Sequence, residues 1–248
     1  MGVDELALTA TAALAIGALI GAIGIGGVLL TPWLTQVIGL PVREAIVISS
    51  FAFIGTGAAA LIIALRTVRG AGPINWSLIL ATAPGALLGA WALAIIPGRL
   101  ALAMLACLTI AVGSKALFRG GAGNERQAPR APVPGIPVGG FAGFASALTG
   151  TGGPMVLMPI LLWRGLPLRE AILLGQAVQL PIAALATAGN LYIGGVDVAA
   201  GGAIGLMLVP GAFLGHRLAG VLPLSALTRL VGLTLIAAGL SFAIKAAT

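Results

Sequence analysis

Residues 24–27 read G-I-G-G and residues 150–153 read G-T-G-G, 126 positions apart. Each quartet interrupts a long apolar stretch, 6–38 in the first case and 133–163 in the second. Such a stretch exceeds the roughly 20 residues that one helical crossing of a bilayer needs, yet it is short for two. Glycines allow turns that other residues resist. Unwound backbone survives at membrane depth only where protein or a cavity surrounds it. The quartets therefore predict two helix breaks inside a membrane protein.

The remaining sequence repeats around them. G-L-P-V-R-E-A-I at 39–46 matches G-L-P-L-R-E-A-I at 165–172, P-G-A-L-L-G at 84–89 matches P-G-A-F-L-G at 210–215, and Pro97 matches Pro223, all at the same offset of 126. A unit of this length is too long for a solenoid repeat. It fits the duplicated halves of a secondary transporter. The predicted organisation is a first transmembrane repeat over 1–118, a cytoplasmic linker over 119–132 and a second transmembrane repeat over 133–248. The linker is rich in Gly, Pro and charge.

Composition agrees. Of 248 residues, 59% are hydrophobic and 8% are charged. A soluble domain carries about 25% charged residues. Eight apolar segments can be marked, at 6–38, 43–65, 74–96, 99–118, 133–163, 169–192, 197–220 and 222–246. The expected fold is all-α, a polytopic membrane protein of two four-segment repeats. The N-terminus carries Asp4 and Glu5 and lacks a basic start, so the first stretch reads as retained and not as a signal peptide.

The net charge of +7 comes from basic residues scattered through short loops, with no basic stripe. It reads as a topology signal and not as nucleic-acid binding. Eight full spans would divide the basic residues 7 to 6 between the two sides. If the first segment of each repeat is instead a re-entrant hairpin, ten share one side and only Arg43, Arg99 and Lys245 lie on the other. The second division is the more natural. It gives each half an odd number of crossings, hence inverted topology, with both termini outside and the linker in the cytoplasm.

The chemistry follows from the breaks. A dinucleotide fingerprint needs a preceding strand and a following acidic residue, both missing here. A helix restarting after a glycine turn instead directs free N–H groups and partial positive charge at the break, which suits an anion. The candidate substrate-binding residues are Gly24, Gly26, Gly27, Gly150, Gly152 and Gly153, with close helix packing as the plain alternative. Ser49, Ser50, Gln176 and Gln179 introduce polarity early in the second segment of each half, where it is costly unless bonded or facing a cavity. Thr149 and Thr151 are expected to assist them, and interhelical hydrogen bonding is the competing role. Arg43–Glu44 and Arg169–Glu170 read as helix starts. His216 reads as an interface residue beside Arg217, with a proton relay as its second reading. Cys107 is the lone cysteine and is expected to be inert packing.

Inside their ends, marked by Glu44, Glu170 and Asp197, the spans lack Asp and Glu, no H-E-x-x-H occurs, and Ser146 lacks a G-x-S-x-G frame. The chain is therefore not expected to be an enzyme or to need a metal or cofactor. Its partners are a small anion and the bilayer, and a homo-oligomer is left open.

The glycine motif Gly24–Pro32, its second copy G-T-G-G-P-M-V-L-M-P, the L-P-x-x-x-A element and P-G-A-x-x-G together resemble the sulfite exporter TauE/SafE family of membrane permeases. The resemblance covers nearly the whole chain. It implies transport of sulfur-containing anions such as sulfite, sulfonates and sulfoacetate across the bacterial inner membrane. An anion channel, or a non-transporting membrane scaffold, is the alternative. Pro154 departs from many relatives. Proline has no N–H to offer; at the first helical position this costs nothing, and elsewhere it would remove one donor from the second site.

Overall fold

The computed structural model describes residues 3–24, 26–67, 75–119, 133–164, 166, 168–193, 197–218 and 224–247. All regular structure among them is helical. The helices are α1 (Val3–Ile23), α2 (Leu30–Gln36), α3 (Val42–Thr67), α4 (Trp76–Ile95), α5 (Gly98–Arg119), α6 (Gly135–Thr149), α7 (Pro154–Trp163), α8 (Leu168–Ala177), α9 (Gln179–Tyr192), α10 (Val198–Leu218) and α11 (Leu224–Ala247). A 3₁₀ turn at Gly26–Leu29 leads into α2. The expected linker beyond Arg119 lies outside the described residues.

Among the described residues, four stretches are long and apolar enough to cross a membrane: Val42–Ile62, Trp76–Ile95, Glu170–Tyr192 and Val198–Leu218. Large apolar side chains such as Leu80, Ile95, Leu206 and Ile244 are exposed on the outside. Trp76 and Tyr192 stand exposed at helix ends, where amphipathic rings suit a membrane interface. Buried polar side chains are all neutral among the described residues. Among the described residues, large apolar side chains thus face outward while neutral polar ones are buried.

Helix boundaries follow local chemistry. The α3 and α8 starts at Val42 and Leu168, and the α5 and α11 starts at Gly98 and Leu224, are each 126 residues apart. Glu44 and Glu170 occupy first turns, where their charge favours the helix N-terminus. Asn75 caps α4 by accepting from the Leu78 N–H at 3.1 Å. The expected sixth segment is divided at Val178. Pro181 has no N–H to return to the carbonyl of Ala177, which loosens one turn. The ladder still passes through, since Val178 N–H bonds Leu174 O and Ile182 N–H bonds Val178 O, both at 3.2 Å.

Two glycine-lined crossings set the frame. On α1 and α10, a β-carbon at Gly21 would collide with the Ala212 carbonyl, and one at Gly215 with the Ala18 carbonyl. On α4 and α6, a β-carbon at Gly85 would collide with the Gly140 carbonyl, and one at Gly143 with the Thr82 carbonyl. These are backbone-to-backbone contacts of the small-residue type that packs helices in lipid. The repeated P-G-A-x-x-G block is thereby explained, because Gly85, Gly89, Gly211 and Gly215 are the buried face of each crossing. Cys107 is expected as inert packing within an apolar run. It is exposed on α5.

Candidate functional site

Each broken segment ends its first helix on glycine. Gly24 takes φ +75° and closes α1 through its N–H to Ile20 O at 2.9 Å. Gly150 is left-handed at φ +65° and its N–H returns to Ser146 O, which also accepts from Thr151 N–H at 3.2 Å. Gly152 and Gly153 then hold φ of +79° and +112°, a backbone that residues with a β-carbon rarely adopt. Pro154 opens α7 at its first helical position, so its missing N–H costs no helical bond.

The two breaks meet. A β-carbon at Gly27 would stand 3.2 Å from Phe53 Cζ and 3.5 Å from the carbonyl of Thr151. A β-carbon at Gly152 would stand 3.1 Å from the same ring, at Cδ2. Phe53 is fully buried. Its ring fills the space between the quartets. Thr31, just past the first break, shares its one proton between Ser49 Oγ (3.3 Å) and the carbonyl of Gly150 in the second (3.2 Å). A β-carbon at Gly24 would lie 3.6 Å from Gln176 Nε2, and one at Gly153 would lie 3.8 Å from Gln179 Cα.

Ser49, Thr149, Thr151, Gln176 and Gln179 lie at the breaks, and the donors of several predicted polar residues hold internal bonds. Gln176 Nε2 donates to Ile20 O at 3.0 Å, and Gln179 Nε2 to Thr56 Oγ1 at 2.8 Å. Ser50 Oγ donates to Ile46 O at 2.8 Å. Thr149 Oγ1 donates to Ala145 O at 2.7 Å and lies 3.1 Å from Thr151 Oγ1. Ser146 Oγ is buried with no partner. Gly26 begins the 3₁₀ turn of the first break.

His216 is exposed and set apart from the quartets. It lines a narrow cleft with Ile20, Thr56, Ala60, Gln176 and Ala212, with about 20 Å³ of room. That is enough for a single water-sized group. The cleft runs from His216 to the Gln176 side of the first break.

Sequence reasoning missed Thr31, Thr56 and Phe53. The threonines carried the same signal as Ser49 and Ser50, polarity inside an apolar segment. Phe53 lies 126 positions before Gln179, so the aligned repeat set an aromatic ring against an amide there.

The sulfite exporter TauE/SafE family model matches residues 9–242. No curated protein and no solved structure matches the chain significantly. The match spans nearly the whole sequence, and the chain belongs to the sulfite exporter TauE/SafE family, as a membrane permease with helices long and apolar enough to span a bilayer.

Proposed function

We propose that this protein is a bacterial inner-membrane secondary transporter of small sulfur-containing anions, of sulfite, sulfonate or sulfoacetate type, working by alternating access. The observation that carries this reading is the meeting of the two glycine breaks around Phe53. The anion would be held by backbone N–H groups at Gly26, Gly27, Gly152 and Gly153, at the starts of the 3₁₀ turn and of α7. Ser49, Ser50, Thr149, Thr151, Gln176 and Gln179 would exchange internal bonds for bonds to substrate. Phe53 would swing aside as the anion enters. His216, at the cleft that reaches Gln176, is the candidate for proton coupling.

Two features support inverted repeats with re-entrant first segments. Helices α2 and α7 have 7 and 10 residues, too short to cross a bilayer. Thr56 bonds Gln179, while Ala60 shares the cleft with Gln176. These two pairings support opposite directions for α3 and its counterpart α8–α9, as inverted repeats require.

Counterflow of labelled sulfite in proteoliposomes tests the proposal. Exchange against internal unlabelled sulfite is expected. Conductance at single-channel magnitude would identify a channel instead. Full transport by Gly26→Leu and Gly152→Leu proteins would remove the breaks from the mechanism.

A further inference from the structure

Hydroxyls inside apolar helices here usually return to their own backbone. Ser50, Thr109 and Thr149 each donate to the carbonyl four residues back, and Thr82 to the one three back. Helix α9 departs from this habit. Thr187 Oγ1 and Asn190 Nδ2 are buried with no hydrogen-bond partner, as is Gln179 Oε1. Their residues are 3%, 5% and 2% exposed. Positions 176, 179, 183, 187 and 190 advance by three or four and so share one helical face. Ala183, midway along it, packs in the cluster with Phe53, Ile204 and Leu208. Polar side chains at 179, 187 and 190, with apolar Ala183 between them, therefore mark the inside of α9 outward from the glycine breaks. From Gln179 to Asn190 it rises about 16 Å.

The first repeat has no such series. The residues 126 positions earlier are Ser50, Phe53, Gly57, Leu61 and Ala64. The asymmetry argues against a packing requirement common to both halves. Unpartnered polar groups at membrane depth are retained where water or substrate reaches them. The groups also suit an anion. Asn190 offers two N–H donors and Thr187 one O–H. Rotating the Gln179 amide end for end sets Oε1 against Thr56 Oγ1, whose proton then moves from Phe53 O (3.2 Å) to Oε1, and frees Nε2 as a further donor.

We propose that Thr187 and Asn190 form a second anion station, on a hydrated path from the central breaks along α9 to the membrane face at Tyr192. The station rests on the transporter reading for its substrate, but the path itself can be tested without it. The probe is 2-sulfonatoethyl methanethiosulfonate, a thiol reagent that carries a sulfonate, applied to protein in nanodiscs with both faces open. The background is Cys107→Ala. Thr187→Cys and Asn190→Cys are expected to react about tenfold or more faster than Thr82→Cys, whose hydroxyl is buried and internally bonded. Rates no faster than Thr82→Cys overturn the path. In proteoliposomes, the isosteric Thr187→Val and the Thr187→Val/Asn190→Leu pair should slow sulfite counterflow about tenfold, with sulfite affinity at the breaks within about twofold. Wild-type flux in both variants overturns the station. Fast labelling of the two cysteine variants, with a wild-type protein that moves no sulfite, would keep the path and remove the substrate reading instead.

Discussion

Gly27→Ala separates folding from anion binding. Gly27 lies in the 3₁₀ turn and its φ is not in the left-handed region, so alanine meets no backbone strain there. The added methyl would lie 3.2 Å from Phe53 Cζ and 3.5 Å from Thr151 O. The first contact is a few tenths of an ångström tighter than usual, and the ring can yield by that much. The folding cost sits at the low end of overpacking, about 1 kcal/mol. In the proposed site the methyl would also crowd the space between the breaks that the anion is to enter beside the Gly27 N–H. Losing one hydrogen bond to a charged group costs about 1.5–3 kcal/mol. That is about a 10- to 100-fold loss of affinity. The assay pairs a thermal melt in detergent with sulfite binding and counterflow. A melting point within a few degrees of wild type, with affinity reduced at least about tenfold, is expected. Wild-type affinity and flux would refute the reasoning, because the methyl cannot be elsewhere.

Three further changes probe the frame. Gly215→Ala forces α1 and α10 apart at the Ala18 carbonyl, and the melt should report a loss of about 1–3 kcal/mol or failure to assemble; an unchanged melt would mean the crossing is looser than described. Asn75→Ala removes the α4 cap and should lower stability by about 1 kcal/mol while leaving sulfite affinity unchanged. Pro154→Ala adds an N–H at the first position of α7, so sulfite affinity in a binding titration should not fall; a clear fall would mean that the proline ring itself shapes the site.

The breaks were legible because lipid restricts backbone so strongly. Few sequences justify G-I-G-G and G-T-G-G inside long apolar segments, and the 126-residue offset located the matching helix starts at Val42 and Leu168. The fate of each donor was not legible. Gln176 and Gln179 sit beside the glycines as expected, but their amides bond Ile20 O and Thr56 Oγ1, partners 156 and 123 positions away. Such choices are tertiary and leave no mark in local spacing. Phe53 was hidden for the same reason. An aromatic residue in an apolar helix reads as core until the two glycines that it touches are brought together. The P-G-A-x-x-G block was visible as a repeat, but its crossing partners on α1 and α6 emerge only in the folded chain.

The central claim is that the two breaks jointly hold the anion. A structure determined with sulfite bound tests it most directly. The account predicts pyramidal density between Gly26–Gly27 and Gly152–Gly153, with the Phe53 ring displaced. Sulfite seated elsewhere, such as beside His216, with Phe53 unmoved between the glycines, would contradict it.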